Sequence, residues 1–303
     1  MKKHFTLSCL VLGGTMLMAP PSFAQDTRAM LDELAKSPAG IKISYGEEPL
    51  QYGELTLPDG AGPHPVVVFI HGGCWLAEYD LPHTRALAGA LSKEGFAVWN
   101  IEYRRVGDAG GGWPGTFLDV GRGADHLRTL AVEHKLDLDH VIASGHSAGG
   151  HLALWLAGRH KLPASSALHA AKPLRVSAVL ALAPASQLDE LHKRGVCGNV
   201  VEKLLGGSAE MFPERYDHAM PSRLAPLGVP QILMLGKRDA DWSWNGEAYL
   251  KDAKLAGDET AEVVMAPEAG HFELIDPKTT TWALVKKAVH KLNKPKPEPK
   301  QTK

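Results

Sequence analysis

Residues 143–158 read ASGHSAGGHLALWLAG, a short polar segment between two apolar runs. The apolar residues before it predict a buried strand, and those in HLALWLAG recur at the spacing of a helix. Gly145 and Gly149 lack the Cβ atoms that resist so sharp a turn from strand to helix. The pattern G-x-S-x-G therefore predicts Ser147 at the apex of the turn, where the start of the following helix favours negative charge. A hydroxyl held there is positioned to act as a nucleophile.

Strand and helix patterns alternate along most of the chain, which predicts a mostly parallel α/β sheet with helices on both faces. The predicted strands are residues 51–57, 66–70, 97–101, 141–144, 176–182, 231–235 and 261–265. The predicted helices are residues 81–94, 116–134, 151–160, 244–256 and 277–292. No repeat or internal linker divides residues 25–292, so one domain is expected. Sites in such sheets form beyond the carboxyl ends of the strands.

A second glycine-rich loop, His71-Gly72-Gly73-Cys74-Trp75, directly follows the predicted strand 66–70. Paired glycines let backbone N–H groups approach a substrate oxygen, and such donors stabilise the oxyanion that forms when a serine attacks a carbonyl. We expect this oxyanion hole in the segment from Gly72 to Cys74, with the amides of Gly73 and Cys74 joined by the N–H of Ala148. An ordinary tight turn is the alternative interpretation.

A serine nucleophile needs a base, and the chain contains 15 histidines. His271 lies in the loop PEAGHFELIDP, between the last predicted strand and the last predicted helix. This position predicts that His271 lies at the carboxyl edge of the sheet. His146 and His151 flank Ser147, but the turn is expected to direct their side chains away from its hydroxyl.

The base in turn needs a carboxylate that holds its tautomer. The loop GKRDADW follows the predicted strand 231–235, and we favour Asp239 in it because this residue lies three positions past Gly236, where a carboxylate can still reach a neighbouring loop. Asp241 in the same loop and Asp189 after the strand 176–182 stay open as alternatives. The chain order Ser147, Asp239, His271 is the order that hydrolases with a G-x-S-x-G turn use.

Four segments together resemble the α/β-hydrolase superfamily: the HGG loop, the turn GHSAGGHLA, the segment EYRRV after the strand 97–101, and AGHFELIDP. More narrowly, they are similar to its esterase/lipase branch, which includes hormone-sensitive-lipase-like esterases and kynurenine formamidases. The likeness runs over residues 45–292. It implies a Ser-His-Asp triad that acts on a small ester, or on an N-formyl aryl amide in the formamidase alternative. A non-catalytic hydrolase-like binding protein is the alternative from another class.

The histidine spacing shows no metal pattern such as H-E-x-x-H, so neither a metal nor another cofactor is expected. The formal net charge is −1 without a sustained basic stripe, which argues against nucleic acid as a partner. The expected partner is therefore a small-molecule substrate.

Both ends of the chain differ in composition from the predicted domain. Residues 1–24 combine a basic start, an apolar run and small residues before Ala24, which is typical of a secretory signal peptide. This predicts a periplasmic or secreted protein without a stable membrane anchor after cleavage, since the apolar run is shorter than the roughly 20 residues of a spanning helix. Residues 293–303 are rich in Lys and Pro, which predicts a disordered tail.

Two cysteines, Cys74 and Cys197, remain after the predicted signal peptide is removed. Cys197 lies in LDELHKRGVCGNVVEKLLGG, which follows the strand 176–182 and is predicted to fold over the site as a small cap. An oxidising compartment permits a disulfide, but the sequence does not place the two Cα atoms within the roughly 7 Å that bridging requires. A disulfide and two separate cysteines therefore both stay open.

Overall fold

The computed structural model describes residues 22–294 of the chain. All but the last three residues of the predicted signal peptide 1–24 lie outside this range, as do all but the first two of the predicted tail 293–303. No helix in the described range is long and apolar enough to cross a membrane. The strands are β1 (Ile41–Ser44), β2 (Tyr52–Thr56), β3 (His64–Ile70), β4 (Ala97–Ile101), β5 (Leu136–His146), β6 (Ala178–Leu182), β7 (Gln231–Gly236) and β8 (Ala261–Ala266).

Helices connect most of these strands. They are α1 (Ser22–Ala35), α2 (Arg85–Lys93), α3 (Gly115–Asp125), α4 (Leu127–His134), α5 (Ala148–Gly158), α6 (Leu188–Lys193), α7 (Val200–Leu205), α8 (Pro213–Ala219), α9 (Ala240–Leu255) and α10 (Trp282–Leu292). Short 3-10 helices cover Leu81–Thr84, Arg159–Lys161 and Pro221–Leu224.

The eight strands form one sheet in the order β1-β2-β4-β3-β5-β6-β7-β8. β1 and β2 pair antiparallel with their neighbours, and the other six strands run parallel. Ile70 at the end of β3 is paired with Gly145 near the end of β5. The loops that follow these two strands therefore leave the sheet side by side, which brings the two glycine-rich segments together.

Apolar side chains cover both faces of the sheet. On one face, Trp99, Phe117 and Trp155 belong to a core built with helices α3 and α5. On the other face, Phe69 and Phe96 belong to a core built with α1, α2 and α10. Because the central parallel strands are buried on both sides, their sequences are nearly continuous apolar runs, and this is why they could be predicted.

The structure corrects the element predictions at several places. The single helix predicted over residues 116–134 is interrupted at His126, because the carbonyl of Gly123 accepts a hydrogen bond from the Trp99 indole, 2.8 Å away. β1 and α1 were not predicted. β1 is a short edge strand with exposed side chains, so it lacks the apolar signal of the central strands.

Candidate active site

The turn between β5 and α5 consists of Ser147 alone. Its backbone angles, φ 55° and ψ −117°, are unfavourable for a residue with a Cβ atom and are typical of a strained turn at a functional site. The turn is closed by direct backbone contact: a Cβ atom on Gly149 would lie 2.0 Å from the carbonyl oxygen of Ile70 and 2.5 Å from that of His71. Only glycine fits at this position, and this close packing holds Ser147 at the apex.

His271 and Asp239 meet at the same edge of the sheet. The Nδ1 atom of His271 lies 2.6 Å from Oδ2 of Asp239, and both side chains are mostly buried. The carboxylate accepts a hydrogen bond from the Nδ1–H group, so the unprotonated Nε2 atom is free to take a proton from a nucleophile. Ser147, Asp239 and His271 line one cavity. Among the residues described, no hydrogen bond joins the Ser147 hydroxyl to His271; such contacts often tighten only when substrate binds.

The other two candidate acids lie elsewhere. Asp241 is exposed in the first turn of α9, where its carbonyl oxygen accepts from the Trp244 indole. Asp189 lies in α6, and its carboxylate accepts from the backbone N–H of Glu190. Neither residue lines the cavity that holds Ser147. The geometry therefore favours Asp239 as the partner of the histidine.

His146 has a place in the site that the sequence did not reveal. Its ring lines the cavity and lies 4.6 Å from the ring of His271, measured between centroids. Its Nε2 atom donates to the backbone carbonyl of His271 over 2.9 Å. Burial and the neighbouring His271 ring lower the pKa of His146 well below 6.5, so it stays neutral near neutral pH. His146 therefore holds the loop that carries His271.

His151 has a structural role. It is fully buried, and its Nε2 atom donates to the carbonyl of Ala219 over 2.9 Å. Burial lowers its pKa to about 4.

The loop after β3 carries backbone amides that lack a protein acceptor. Within the part of the chain that the structure describes, the backbone N–H groups of Gly72, Gly73, Cys74 and Ala148 donate to no protein acceptor. Gly73 has a φ of 107°, and a Cβ atom there would lie 2.2 Å from Cβ of Tyr79. The backbone thus bends where only glycine is tolerated. Of the four predicted donors, Gly73 and Cys74 line the cavity, whereas Gly72 and Ala148 are not among its lining residues.

A buried polar network holds this loop from below. The two ring nitrogens of His71 contact the carbonyl of Gly72 at 2.8 Å and a carboxylate oxygen of Glu102 at 2.9 Å. The imidazole thus bridges the backbone of the glycine-rich loop and the buried carboxylate. The hydroxyl of Tyr103 donates to the carbonyl of His71, and the two rings stack at 4.4 Å. The segment EYRRV therefore supports the loop of residues 71–75, which we name the oxyanion loop after its predicted role.

Glu102 lies at the centre of the network. Besides His71, it accepts from the backbone N–H groups of Leu81 and Tyr103, each at 2.9 Å, and lies 3.3 Å from the Arg105 guanidinium. Burial alone would raise the pKa of Glu102, but His71, Arg105 and the Leu81 amide together hold it below its usual value. The carboxylate thus stays ionised although it is buried.

Cys74 and Cys197 form a disulfide, with Cα atoms 6.2 Å apart. The two cysteines are 123 positions apart in the chain, so the bridge links the oxyanion loop to the segment between β6 and β7. The bridge joins the predicted cap segment to a residue of the cavity lining, while none of the residues in α6, α7 and α8 lines the cavity itself. The apolar residues Leu188 and Leu204 of this segment pack into the core.

The cavity has a volume of about 220 Å³ and a largely aromatic wall. Trp242 lies 4.7 Å from the His271 ring and donates its indole N–H to the carbonyl of Ala183, whereas Trp244 lies outside the cavity. Residues 28–294 contain no cluster of His, Cys, Asp and Glu side chains arranged to hold a metal ion. The lining residues are Leu31, Gly73, Cys74, Tyr79, His83, His146, Ser147, Asp239, Trp242, His271 and Phe272.

Comparison with known proteins identifies relatives that are named as esterases. Esterase EstD of Thermotoga maritima is 26% identical over 248 residues, which cover 73% of this chain and 57% of EstD. Isoprenylcysteine alpha-carbonyl methylesterase ICME of Arabidopsis thaliana is 26% identical over 244 residues, 77% of this chain and 56% of ICME. The chain thus spans little more than half the length of these curated relatives.

The structure matches that of Esterase B from Lactobacillus rhamnosis with a TM-score of 0.74 and 22% identity, covering 89% of this chain and 91% of that one. This likeness confirms the predicted α/β-hydrolase fold. The BD-FAE family model matches residues 54–245, which is more than half of the chain and includes Ser147 and the oxyanion loop. The chain therefore belongs to the BD-FAE family, within the esterase/lipase branch of the α/β hydrolases.

Proposed function

We propose that this protein is a serine hydrolase that cleaves carboxylic esters. The observation that carries the proposal is the cavity in which Ser147, at a strained strand-to-helix turn, lies with the hydrogen-bonded pair His271 and Asp239. In the described residues, the backbone amides of Gly73, Cys74 and Ala148 donate to no protein acceptor and are therefore available to an oxyanion. A nucleophile, an oriented base and oxyanion donors are the parts that acyl transfer needs.

In this mechanism the Ser147 hydroxyl attacks the ester carbonyl while Nε2 of His271 takes its proton. Asp239 holds the Nδ1 proton and stabilises the imidazolium. The carbonyl oxygen becomes an oxyanion held by the loop amides. The bond to the alcohol then breaks, His271 returns the proton to the leaving oxygen, and an acyl-enzyme remains. Water, activated by His271, hydrolyses this intermediate and restores Ser147.

Two further observations support the proposal. The curated relatives are named as esterases, and this favours an ester over the formamide alternative. The disulfide between Cys74 and Cys197 and the signal-like residues 1–24 agree with export, since disulfides persist in oxidising compartments. We therefore propose that the protein acts in the periplasm or outside the cell.

The test is a paired panel of aryl esters and N-formyl aryl amides, assayed with the purified protein and with Ser147→Ala as the blank. We expect esters to be cleaved much faster than formamides, and Ser147→Ala to lose activity by roughly four orders of magnitude or more with an unchanged melting temperature. More than about a tenth of the wild-type rate in the variant would overturn the assignment of the nucleophile. Failure of both substrate classes, without labelling of Ser147 by a fluorophosphonate, would favour a binding protein.

A matched pair of substitutions tests the acid. Asp239→Asn removes the carboxylate that contacts His271, and we expect kcat to fall by about 10⁴, as loss of a triad carboxylate does. Asp241→Asn makes the same chemical change two residues away on an exposed side chain, and we expect no more than a small change. The reverse ranking would assign the acid to Asp241.

A further inference from the structure

The N-terminal helix α1 forms part of the wall of the catalytic cavity. Leu31 lines the cavity together with Ser147, Asp239 and His271, and only 5% of its surface is exposed. Leu34, on the same helix, is equally buried but does not line the cavity. Substitutions at these two leucines can therefore distinguish an effect on the pocket from an effect on helix packing.

Contacts on two sides hold α1 in this place. The helix packs against the 3-10 helix Leu81–Thr84, which follows the oxyanion loop and carries the cavity residue His83. On the other side, Glu33 lies 3.7 Å from the ammonium group of Lys278, beyond the loop that carries His271. α1 thus spans the gap between two of the site's loops.

The pocket is small. Its volume of about 220 Å³ is below the range of about 300–1,000 Å³ of pockets that enclose drug-sized ligands. Tyr79, Trp242 and Phe272 form rigid aromatic walls around it, whereas Leu31 is a flexible aliphatic side chain on a separate helix. A change in pocket length is therefore best accommodated at Leu31.

The space also lacks a positive charge. No Lys or Arg is among its lining residues, and its one carboxylate, Asp239, is engaged by His271. Burial and the neighbouring His71 ring lower the pKa of His83 to about 3, so this side chain is neutral at ordinary pH. A substrate group with a negative charge would find no counter-ion and would lie near Asp239.

We propose that α1 is a specificity element: Leu31 closes the catalytic pocket so that it accepts esters whose enclosed group is short and uncharged. Esters with a long enclosed chain or with a carboxylate on it are rejected. This inference rests on the proposed ester hydrolysis and adds to it the substrate class and the residue that sets chain length.

The experiment compares kcat/KM for two ester series. One series varies the acyl group of p-nitrophenyl esters from acetyl to octanoyl and includes p-nitrophenyl hydrogen succinate. The other varies the alcohol of acetate esters from ethyl to octyl. In the wild-type protein we expect kcat/KM to fall by about tenfold or more between four and eight carbons in at least one series. We expect kcat/KM for the succinate ester to be lower than that for the butanoate ester by a similar factor.

The variants identify the residue. Leu31→Ala is expected to raise kcat/KM for the eight-carbon ester by about tenfold. Leu34→Ala destabilises the same helix to a similar degree, but we expect it to leave the chain-length profile unchanged. Leu31→Phe, which keeps the core filled, is expected to sharpen the preference for acetyl. Equal profiles for Leu31→Ala and Leu34→Ala, or a wild-type protein that shows no cutoff in either series, would overturn the inference.

These outcomes differ from a failure of the proposed function. In that case no ester of either series is cleaved and a fluorophosphonate does not label Ser147, which overturns the mechanism and the inference together. Active esterase with the wrong chain-length profile overturns only the inference.

Discussion

The two glycine-rich loops of the site lie side by side on neighbouring strands but are held in shape by different forces. The turn at Ser147 is fixed by steric contact, since Gly149 packs directly on the backbone of Ile70 and His71. The oxyanion loop is fixed by a buried ionic and hydrogen-bonded network around Glu102 and by a disulfide at Cys74. Contact packing is insensitive to pH and redox state, whereas the second arrangement depends on both.

Adding one methyl group should break the sterically fixed turn. We expect Gly149→Ala to destabilise the protein by about 3 kcal/mol or more, because the new Cβ meets backbone atoms that no rotamer change can move. A melting temperature lowered by roughly 6–10 °C and severe loss of esterase activity are the expected measurements.

Gly89→Ala is the matched control. Gly89 lies within α2 and a Cβ atom there meets nothing within 4 Å, so alanine should leave stability unchanged or raise it by up to about 1 kcal/mol. If both variants melt together with the wild type, steric contact does not fix the turn.

Removing one charge should disturb the other loop. We expect Glu102→Gln to lower kcat by about tenfold to a hundredfold with a smaller effect on KM, since a misplaced oxyanion donor weakens binding of the transition state. Ser147 should still react with a fluorophosphonate, although more slowly. A variant with normal kcat would show that the loop keeps its shape without the carboxylate.

Glu54→Gln serves as the control for losing a buried carboxylate. Glu54 lies on β2, away from the cavity, and forms an ion pair with Arg85 of α2. We expect this variant to lose stability in thermal melts while kcat stays near the wild-type value. The contrast in kcat between the two glutamate variants then measures the effect of the loop and not that of general destabilisation.

Opening the disulfide should have a smaller effect on turnover. Cys197→Ser leaves the cavity lining intact, and we expect less than a tenfold loss of kcat because the Glu102 network still holds the loop. Stability should fall by up to about 5 kcal/mol in the chain-entropy model of so long a closed loop. A reductant should lower the melting temperature of the wild type but not that of the variant.

The bridge itself is checked by alkylating the denatured, unreduced mature protein and measuring its intact mass. A mass without any adduct would support the disulfide. Two adducts per chain would exclude it.

Local chemistry explains which parts of the site could be predicted. The turn at Ser147 and the HGG loop are short segments whose glycines announce unusual backbone angles, and buried parallel strands place them at one edge. The meeting of His271 with Asp239 follows from the same rule, since both lie after neighbouring strands.

The remaining features depend on packing between distant segments. Nothing in the sequence of α1 indicates that Leu31 reaches the cavity. The contact of His146 with the His271 carbonyl joins residues 125 positions apart. A lone histidine beside the nucleophile carries no signal of such a partner.

The smallest expected effect is a pH dependence of the difference in melting temperature between the wild type and Glu102→Gln. The pKa of Glu102 is held below its usual 4.5 in the folded state, so its ionisation contributes stability that is fully present above pH 4.5 and is lost as the pH falls through the lower folded pKa. Buried His146 also destabilises the fold in acid, but equally in wild type and Glu102→Gln, and so cancels in the comparison. We therefore expect the difference in melting temperature between these two proteins to shrink as the pH falls below about 4.5, because a protonated Glu102 resembles glutamine. Thermal melts of both proteins at half-unit pH steps measure this difference. If it persists undiminished at the lowest pH where the wild type still folds, the negative charge of Glu102 does not stabilise the oxyanion loop.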